Sequence, residues 1–128
     1  MENNKKILIV EDERSLSQAL VNKLTLEGFA TLTAKNGEEG LKIALREHPD
    51  LILLDIVMPR MDGITMMKKL RQTDEWGKNV PVILLTNLSA DDEKIMRTIT
   101  ENEPAYYLVK SDHTISDVVE KVRERLSR

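Results

Sequence analysis

The 128-residue chain contains no cysteine. That excludes a disulfide framework and thiolate chemistry. It is compatible with a reducing cytosol, and a cytoplasmic location is expected. Basic residues are not in excess: 19 Lys and Arg against 22 Asp and Glu give a formal charge of −3. DNA-binding domains usually carry a basic stripe, so direct nucleic-acid binding is not expected. The small clusters Lys68-Lys69 and Arg123 with Arg125 read as solvated helix faces. No apolar run approaches the roughly 20 residues needed to span a bilayer. The first residues, Met1 to Lys6, lack the apolar segment of a signal peptide, and no membrane association is expected. Repeats, low-complexity tracts and linkers are missing, and no glycine-rich phosphate loop follows the first apolar run. A content of 41% hydrophobic and 32% charged residues suits one globular domain over 1–128.

What is present is a set of short apolar runs, each ending in a polar residue. Ile7-Leu8-Ile9-Val10 leads into Glu11-Asp12, and Leu51-Ile52-Leu53-Leu54 into Asp55. Val80-Pro81-Val82-Ile83-Leu84-Leu85 leads into Thr86, and Tyr106-Tyr107-Leu108-Val109 into Lys110. Helical-period segments separate the runs, and this alternation predicts an α/β fold with a parallel sheet. Strands are expected at about 6–10, 30–34, 51–54, 80–86 and 106–109. The mixed polarity of 30–34 suits an edge strand, and the uniform apolarity of 51–54 suits one covered on both faces.

The first expected helix runs from about Ser15 to Glu27, with Leu16, Ala19, Leu20 and Leu24 inward and Gly28 as its stop. The second follows an Asn36-Gly37 turn and reaches about Glu47, with Leu41, Ala44 and Leu45 inward. His48-Pro49-Asp50 breaks it. The third spans about Ile64 to Gln72 around Met66, Met67 and Leu70. The fourth starts near Ser89, where Ser89 and Asp92 resemble a capping box, and carries Ile95, Met96 and Ile99. The fifth carries the stripe Ile115, Val118, Val119, Val122 and Leu126. Trp76 falls in an expected loop. His48 and His113 are isolated, without metal-ligand spacing.

In open parallel sheets, ligands bind past the carboxyl ends of the strands. Glu11, Asp12, Asp55, Thr86 and Lys110 are therefore expected at one site. Three carboxylates within a few ångströms repel one another unless a cation is present. Magnesium reverses that logic and takes a few protein oxygens, keeping waters or phosphate oxygens in its other positions. Lys110 suits phosphate oxygens as a point charge, and Thr86 offers a hydroxyl donor. Taken singly, each has a blander reading. Glu11 and Asp12 would be acidic residues favoured at a helix N-terminus, Asp55 a loop residue, Thr86 a helix-entry hydroxyl and Lys110 a solvated strand end. Their common placement favours the shared site.

The motifs Ile7 to Asp12, Leu53-Leu54-Asp55-Ile56-Val57-Met58-Pro59 with Met61-Asp62-Gly63, Leu85-Thr86, and Tyr107-Leu108-Val109-Lys110 together resemble the receiver domains of two-component response regulators, with the CheY-like fold. The match spans nearly the whole chain in the family's order and spacing. It implies a five-stranded parallel sheet of order 2-1-3-4-5 flanked by five helices. It also implies that Asp55 is the phosphoacceptor in a phosphorelay, charged by a histidine kinase or histidine phosphotransfer protein. Asp12, Asp55 and the backbone carbonyl of Val57 would ligate Mg²⁺, with Glu11 a more water-mediated partner. Thr86 and Lys110 would contact the phosphoryl group. Thr86 and Tyr107 would form the switch, with Tyr107 turning inward and reshaping the face of the fourth helix, fifth strand and fifth helix. Tyr106 points to the opposite face and reads as packing. An output partner or an attached effector domain would read the switch face, and homodimerisation could use the same face. Such a domain is not a classical enzyme, although it catalyses its own phosphorylation and slow dephosphorylation.

The chain departs from the family at several points. Ser111 replaces the usual proline, before which the bond is usually cis. A cis bond before a non-proline costs about 3–4 kcal/mol, so a trans Lys110–Ser111 peptide is expected. Asn87 replaces a usually small residue. Val57 and Leu88 are apolar where many relatives carry polar groups, so slow hydrolysis is expected. The segment from Ile99 to Pro104 lacks the usual small turn. Two other classes compete. A degenerate receiver would act as a phosphorylation-independent interaction module, which the intact acidic cluster disfavours. A haloacid-dehalogenase-type phosphatase would want a second Asp where this chain has Val57.

Overall fold

The computed structural model describes residues 5–87, 97, 100–102, 105–110 and 113–127, with Thr86 and Ala105 described by main chain alone. Most of the expected helix from Ser89, its capping box, Leu88 and the Lys110–Ser111 peptide fall outside the described residues, as do 99, 103 and 104.

Five strands form one parallel sheet: β1 (Lys6–Val10), β2 (Ala30–Ala34), β3 (Leu51–Asp55), β4 (Val82–Thr86) and β5 (Ala105–Val109). Their order is β2-β1-β3-β4-β5, as the family resemblance implies. The described helices are α1 (Arg14–Leu26), α2 (Gly37–Glu47), α3 (Gly63–Arg71), α4 (Glu75–Asn79) and α5 (Ile115–Leu126). None of them is long and apolar enough to cross a membrane.

The pleat sorts the strand residues into two cores. Leu8, Val10, Ile52, Leu54, Val82 and Leu84 pack with Ala44 of α2 and with Met66, Met67 and Leu70 of α3. Ile7, Ile9, Leu51, Leu53, Ile83 and Leu85 pack with Leu20 and Leu24 of α1 and Val118, Val119 and Val122 of α5. Covered on both faces, β3 is buried at all five positions. The edge strand β2 is buried only at Ala34. Side-chain caps start most of the helices. The side chains of Asn36, Asp62 and Asp74 accept from the main-chain N–H groups of Glu39, Thr65 and Gly77, and Thr114 with Asp117 forms a capping box on α5.

Three expectations are corrected. Asn36-Gly37 is the start of α2, with Asn36 as its N-cap, rather than a free turn. Leu45 does not face the core and is 38% exposed. The buried face of α2 runs through Gly37, Gly40 and Ala44, because Gly40 lets the helix close onto Val10 and Met66, whose side-chain atoms lie 2.9–3.0 Å from where a Cβ would sit. Trp76 lies in the short helix α4 and packs against the core cluster of α2 and α3.

Candidate acidic site at the carboxyl edge

The register brings the strand ends level. Val10 pairs with Leu54, Asp55 with Leu85, and Thr86 with Val109. Glu11, Asp55 and Lys110 are therefore carried to one edge by three strands. The order reverses between β1 and β3, and that switch point is where open α/β sheets form their crevice. The crevice is lined by Glu11, Asp12, Glu13, Asp55, Val57, Asn87 and Lys110. One carboxylate oxygen each from Glu11, Asp12 and Asp55 lies within 4.8 Å of the others.

The three acids are not equivalent. Glu11 and Asp55 are 3% and 6% exposed, whereas Asp12 faces solvent. The Glu11 main chain is tied to β2 by donation to the Ala34 carbonyl (3.0 Å), and its Oε2 accepts from the Glu13 N–H (3.0 Å). Lys110 Nζ lies 2.9 Å from Glu11 Oε1 and 3.3 Å from Asp55 Oδ2. Burial pushes Glu11 up to about 7, and the neighbouring Asp55 charge adds to that push. The Lys110 ammonium and the Glu13 N–H oppose the shift without cancelling it. Burial alone would lower the Lys110 pKa, but contact with Glu11 and then Asp55 outweighs it and holds the group above its ordinary value.

The loop after β3 is braced from below. Gly63 N–H donates to the Ile56 carbonyl and Gly37 N–H to the Met61 carbonyl (2.9 and 2.8 Å). A Cβ on Gly63 would lie 2.2 Å from the Asp55 carbonyl oxygen, so only glycine permits this approach. Within the loop Arg60 adopts the left-handed region (φ 69°). Val57 stands at the mouth of the crevice, 62% exposed, and its N–H faces Asp55 Oδ1 at 3.4 Å.

Of the residues expected here, the structure brings together Glu11, Asp12, Asp55, Val57 and Lys110. The Thr86 main chain ends β4 beside them, and its side chain lies outside the described residues. Tyr107 is half-buried against the core cluster of α2 and α3. Tyr106 takes the opposite face, 39% exposed, under the Arg125 guanidinium at 5.3 Å from its ring centroid. Sequence reasoning missed Glu13, and it missed the bracing role of Gly37. The pairing of Asn36 with Gly37 at a helix start was the available signal for the latter. The donor set fits magnesium: three hard carboxylate oxygens converge, and a buried carboxylate held near 7 would be relieved by a cation.

A sheet of this order with an acidic crevice at its switch point defines an open, doubly wound α/β protein. The model of the response regulator receiver domain matches residues 7–123, and the chain belongs to that family, whose members act in phosphorylation-based two-component signalling. It is 43% identical over 96 residues to the probable transcriptional regulator ycf27 of Porphyra purpurea, covering 74% of this chain and 38% of that one. The receiver domain of Francisella response regulator 1452 superposes with a TM-score of 0.81 at 30% identity, covering 94% of each chain. The Borrelia burgdorferi CheX–CheY complex with BeF₃ and Mg²⁺ has a chain that superposes at 0.82 and 29% identity, over 95% of this chain and 89% of that one. This chain spans about two fifths of the length of the curated relatives it matches.

Proposed function

We propose that the chain is a phosphorylation-dependent switch whose phosphoacceptor is Asp55. The observation that carries this reading is the placement of Asp55 within 3.3 Å of the Lys110 ammonium, in a crevice with two further carboxylates. Glu11, Asp12 and Asp55, with the Val57 carbonyl, would hold Mg²⁺. When bound there, the ion would neutralise the carboxylates and draw charge from phosphoryl oxygens. An Asp55 carboxylate oxygen forms a bond to phosphorus as the bond from phosphorus to the donor's imidazole nitrogen breaks. The donor is a histidine kinase or histidine phosphotransfer protein, and small acyl phosphates can substitute. Lys110 stabilises the developing charge on the phosphoryl oxygens, and catalysis is mostly positioning with charge neutralisation.

The phosphoryl group then biases a two-state equilibrium through its differential contacts in the two states. Thr86 and Tyr107 carry the change to the β5–α5 face, and a partner or an attached effector domain reads it. Hydrolysis is slow because the exposed Val57 offers no polar group to an attacking water. The CheY relative whose complex includes BeF₃ and Mg²⁺ supports the reading of the site.

Intact mass after incubation with acetyl phosphate, with and without Mg²⁺, tests the proposal beside Asp55→Asn. One phosphoryl adduct that requires both Mg²⁺ and Asp55 is expected. An adduct retained by Asp55→Asn would overturn the assignment. No adduct from either acetyl phosphate or a phosphorylated histidine donor would favour the phosphorylation-independent interaction module instead.

A further inference from the structure

Among the described residues β5 is an edge strand, paired with β4 alone. At its end the chain leaves the sheet immediately before the residue whose ammonium must reach into the crevice. Lys110 sits at that exit, one residue past the last β4–β5 pair, Thr86 with Val109. His113 reaches back to this point. Its Nδ1 lies 3.0 Å from the Val109 carbonyl oxygen, and its main-chain N–H donates, at a longer 3.4 Å, to the Lys110 carbonyl. These two carbonyls belong to the peptide units on either side of the Lys110 Cα. One residue therefore restrains both backbone dihedrals that aim the Lys110 side chain. A carbonyl only accepts, so the ring carries its proton on Nδ1.

His113 is itself anchored. It precedes Thr114, which opens α5 with a reciprocal capping box to Asp117 (3.1 and 2.9 Å). The residue lies against an apolar hollow lined by Leu16, Leu20, Leu85, Leu108 and Val118. Half-buried there, the imidazole loses little by donating to a main-chain oxygen instead of to water.

We propose that His113 is a positioning residue: it staples the exit of β5 to the start of α5 and so aims Lys110 at Asp55 and Glu11. The catalytic consequence rests on the reading of Lys110 as the phosphoryl contact. The geometric part does not. Asparagine carries an amide N–H₂ on the same Cγ position and can reproduce the donation, whereas alanine cannot.

The test compares the full chain with its His113→Ala and His113→Asn variants. Displacement of a catalytic group by about 1 Å can cost up to ~100-fold. We therefore expect His113→Ala to slow phosphorylation by acetyl phosphate about tenfold, and His113→Asn to restore most of the rate. Mg²⁺ affinity, measured by calorimetry, should not fall, because Lys110 is not a metal ligand and its ammonium competes with the cation for Glu11 and Asp55. A second readout needs no phosphoryl transfer: acylation of Lys110 by acetic anhydride, followed by peptide mapping with the exposed Lys121 as internal reference. Labelling of Lys110 should rise severalfold in His113→Ala and return toward wild type in His113→Asn. Wild-type labelling in His113→Ala would overturn the staple. A parallel loss of rate and Mg²⁺ affinity without rescue by asparagine would also overturn it, in favour of simple packing. If wild-type protein takes no phosphoryl group from any donor, the functional reading fails while the labelling still decides the staple.

Discussion

The two edges of the sheet solve opposite problems. At the carboxyl edge two carboxylates are buried side by side and share one ammonium, and a third faces them from solvent. At the amino edge the polar groups are matched. The Asp50 carboxylate accepts from the Lys6 N–H (2.7 Å), and Lys6 Nζ lies 3.6 Å from Glu47. Trp76 Nε1 donates to the Pro49 carbonyl (3.3 Å) while its indole stacks on His48 at 4.3 Å. Arg71 donates to the carbonyls of Gly77 and Asn102 (2.9 Å each). The amino edge is arranged for stability. The carboxyl edge keeps unfavourable charge density that a cation and a phosphoryl group can relieve. Substitutions at the two edges should therefore separate stability from phosphoryl chemistry.

The largest effect should come from Trp76→Ala. Aromatic-to-alanine changes in cores cost about 3–5 kcal/mol, and the half-buried Trp76 should fall near about 3 kcal/mol by urea unfolding. That is a large share of the ~5–15 kcal/mol typical of a domain. Phosphorylation rate and Mg²⁺ affinity, measured well below the unfolding temperature, should not change. A variant that lost Mg²⁺ affinity as well would break the division between the edges.

The next effect belongs to Glu11. Its folded pKa, about 7, exceeds the ordinary 4.5. Its contribution to stability is therefore complete below about 4.5 and is lost as pH rises through about 7. A shift of that size corresponds to roughly 3 kcal/mol when fully expressed. Metal-free protein should weaken between about pH 4.5 and 7 in urea unfolding and level off above that, and saturating Mg²⁺ should flatten the slope. Glu11→Gln should remove the slope and be the more stable form at pH 8 in chelator, while binding Mg²⁺ more weakly. A Gln variant less stable than wild type under those conditions would show that the ion pair with Lys110 outweighs burial.

Much of this contrast was legible in the sequence. The strands follow uninterrupted apolar runs, and Glu11, Asp55 and Lys110 each sit one residue past or at the end of a run, so parallel register places them together. What escaped depends on features that hydrophobic periodicity cannot see. Leu41, Ala44 and Leu45 make a plausible stripe, but Gly40 sets the close face, and a glycine carries no hydropathic signal. α4 is five residues long, too short for a period, and was announced only by its Asp74 cap. His48 and Trp76 stack across 28 positions of chain, and the ring of His113 finds its partner only after β5 and α5 are docked. Glu11 and Asp12 are adjacent carboxylates, yet strand geometry buries one and exposes the other.

Gly37 tests how the amino-terminal end of α2 supports the loop after β3. A Cβ there would lie 2.2 Å from the Met61 carbonyl oxygen, a backbone atom with little freedom to yield. Gly37→Ala should cost about 2 kcal/mol, in the range of overpacked sites. It should also weaken Mg²⁺ binding by shifting the loop that carries Val57. Gly40→Ala meets side-chain atoms of Val10 and Met66 at 2.9–3.0 Å, and better helix propensity offsets part of its cost by up to about 1 kcal/mol. It should lose less stability and leave Mg²⁺ affinity intact. Equal effects of the two on Mg²⁺ would show that α2 acts through the core and not through the Met61 contact.

The smallest effect is expected at His48, where two opposing contributions nearly cancel. Its backbone is left-handed, with φ 47°, a conformation that costs an ordinary residue about 1–2 kcal/mol and glycine almost nothing. Its ring stacks on Trp76 with planes only 7° apart, worth about 0.5–1.5 kcal/mol. His48→Ala keeps the strained backbone and loses the stack, so it should lose about 1 kcal/mol. His48→Gly loses the stack and relieves the backbone, so it should lie within about 0.5 kcal/mol of wild type. A double-mutant cycle isolates the stack. In a Trp76→Ala background His48→Ala should become neutral, and His48→Gly should become stabilising by about 1 kcal/mol. If His48→Ala costs the same with and without the indole, the stack contributes nothing, and stability at this corner would rest on Trp76 burial and its hydrogen bond to Pro49 alone.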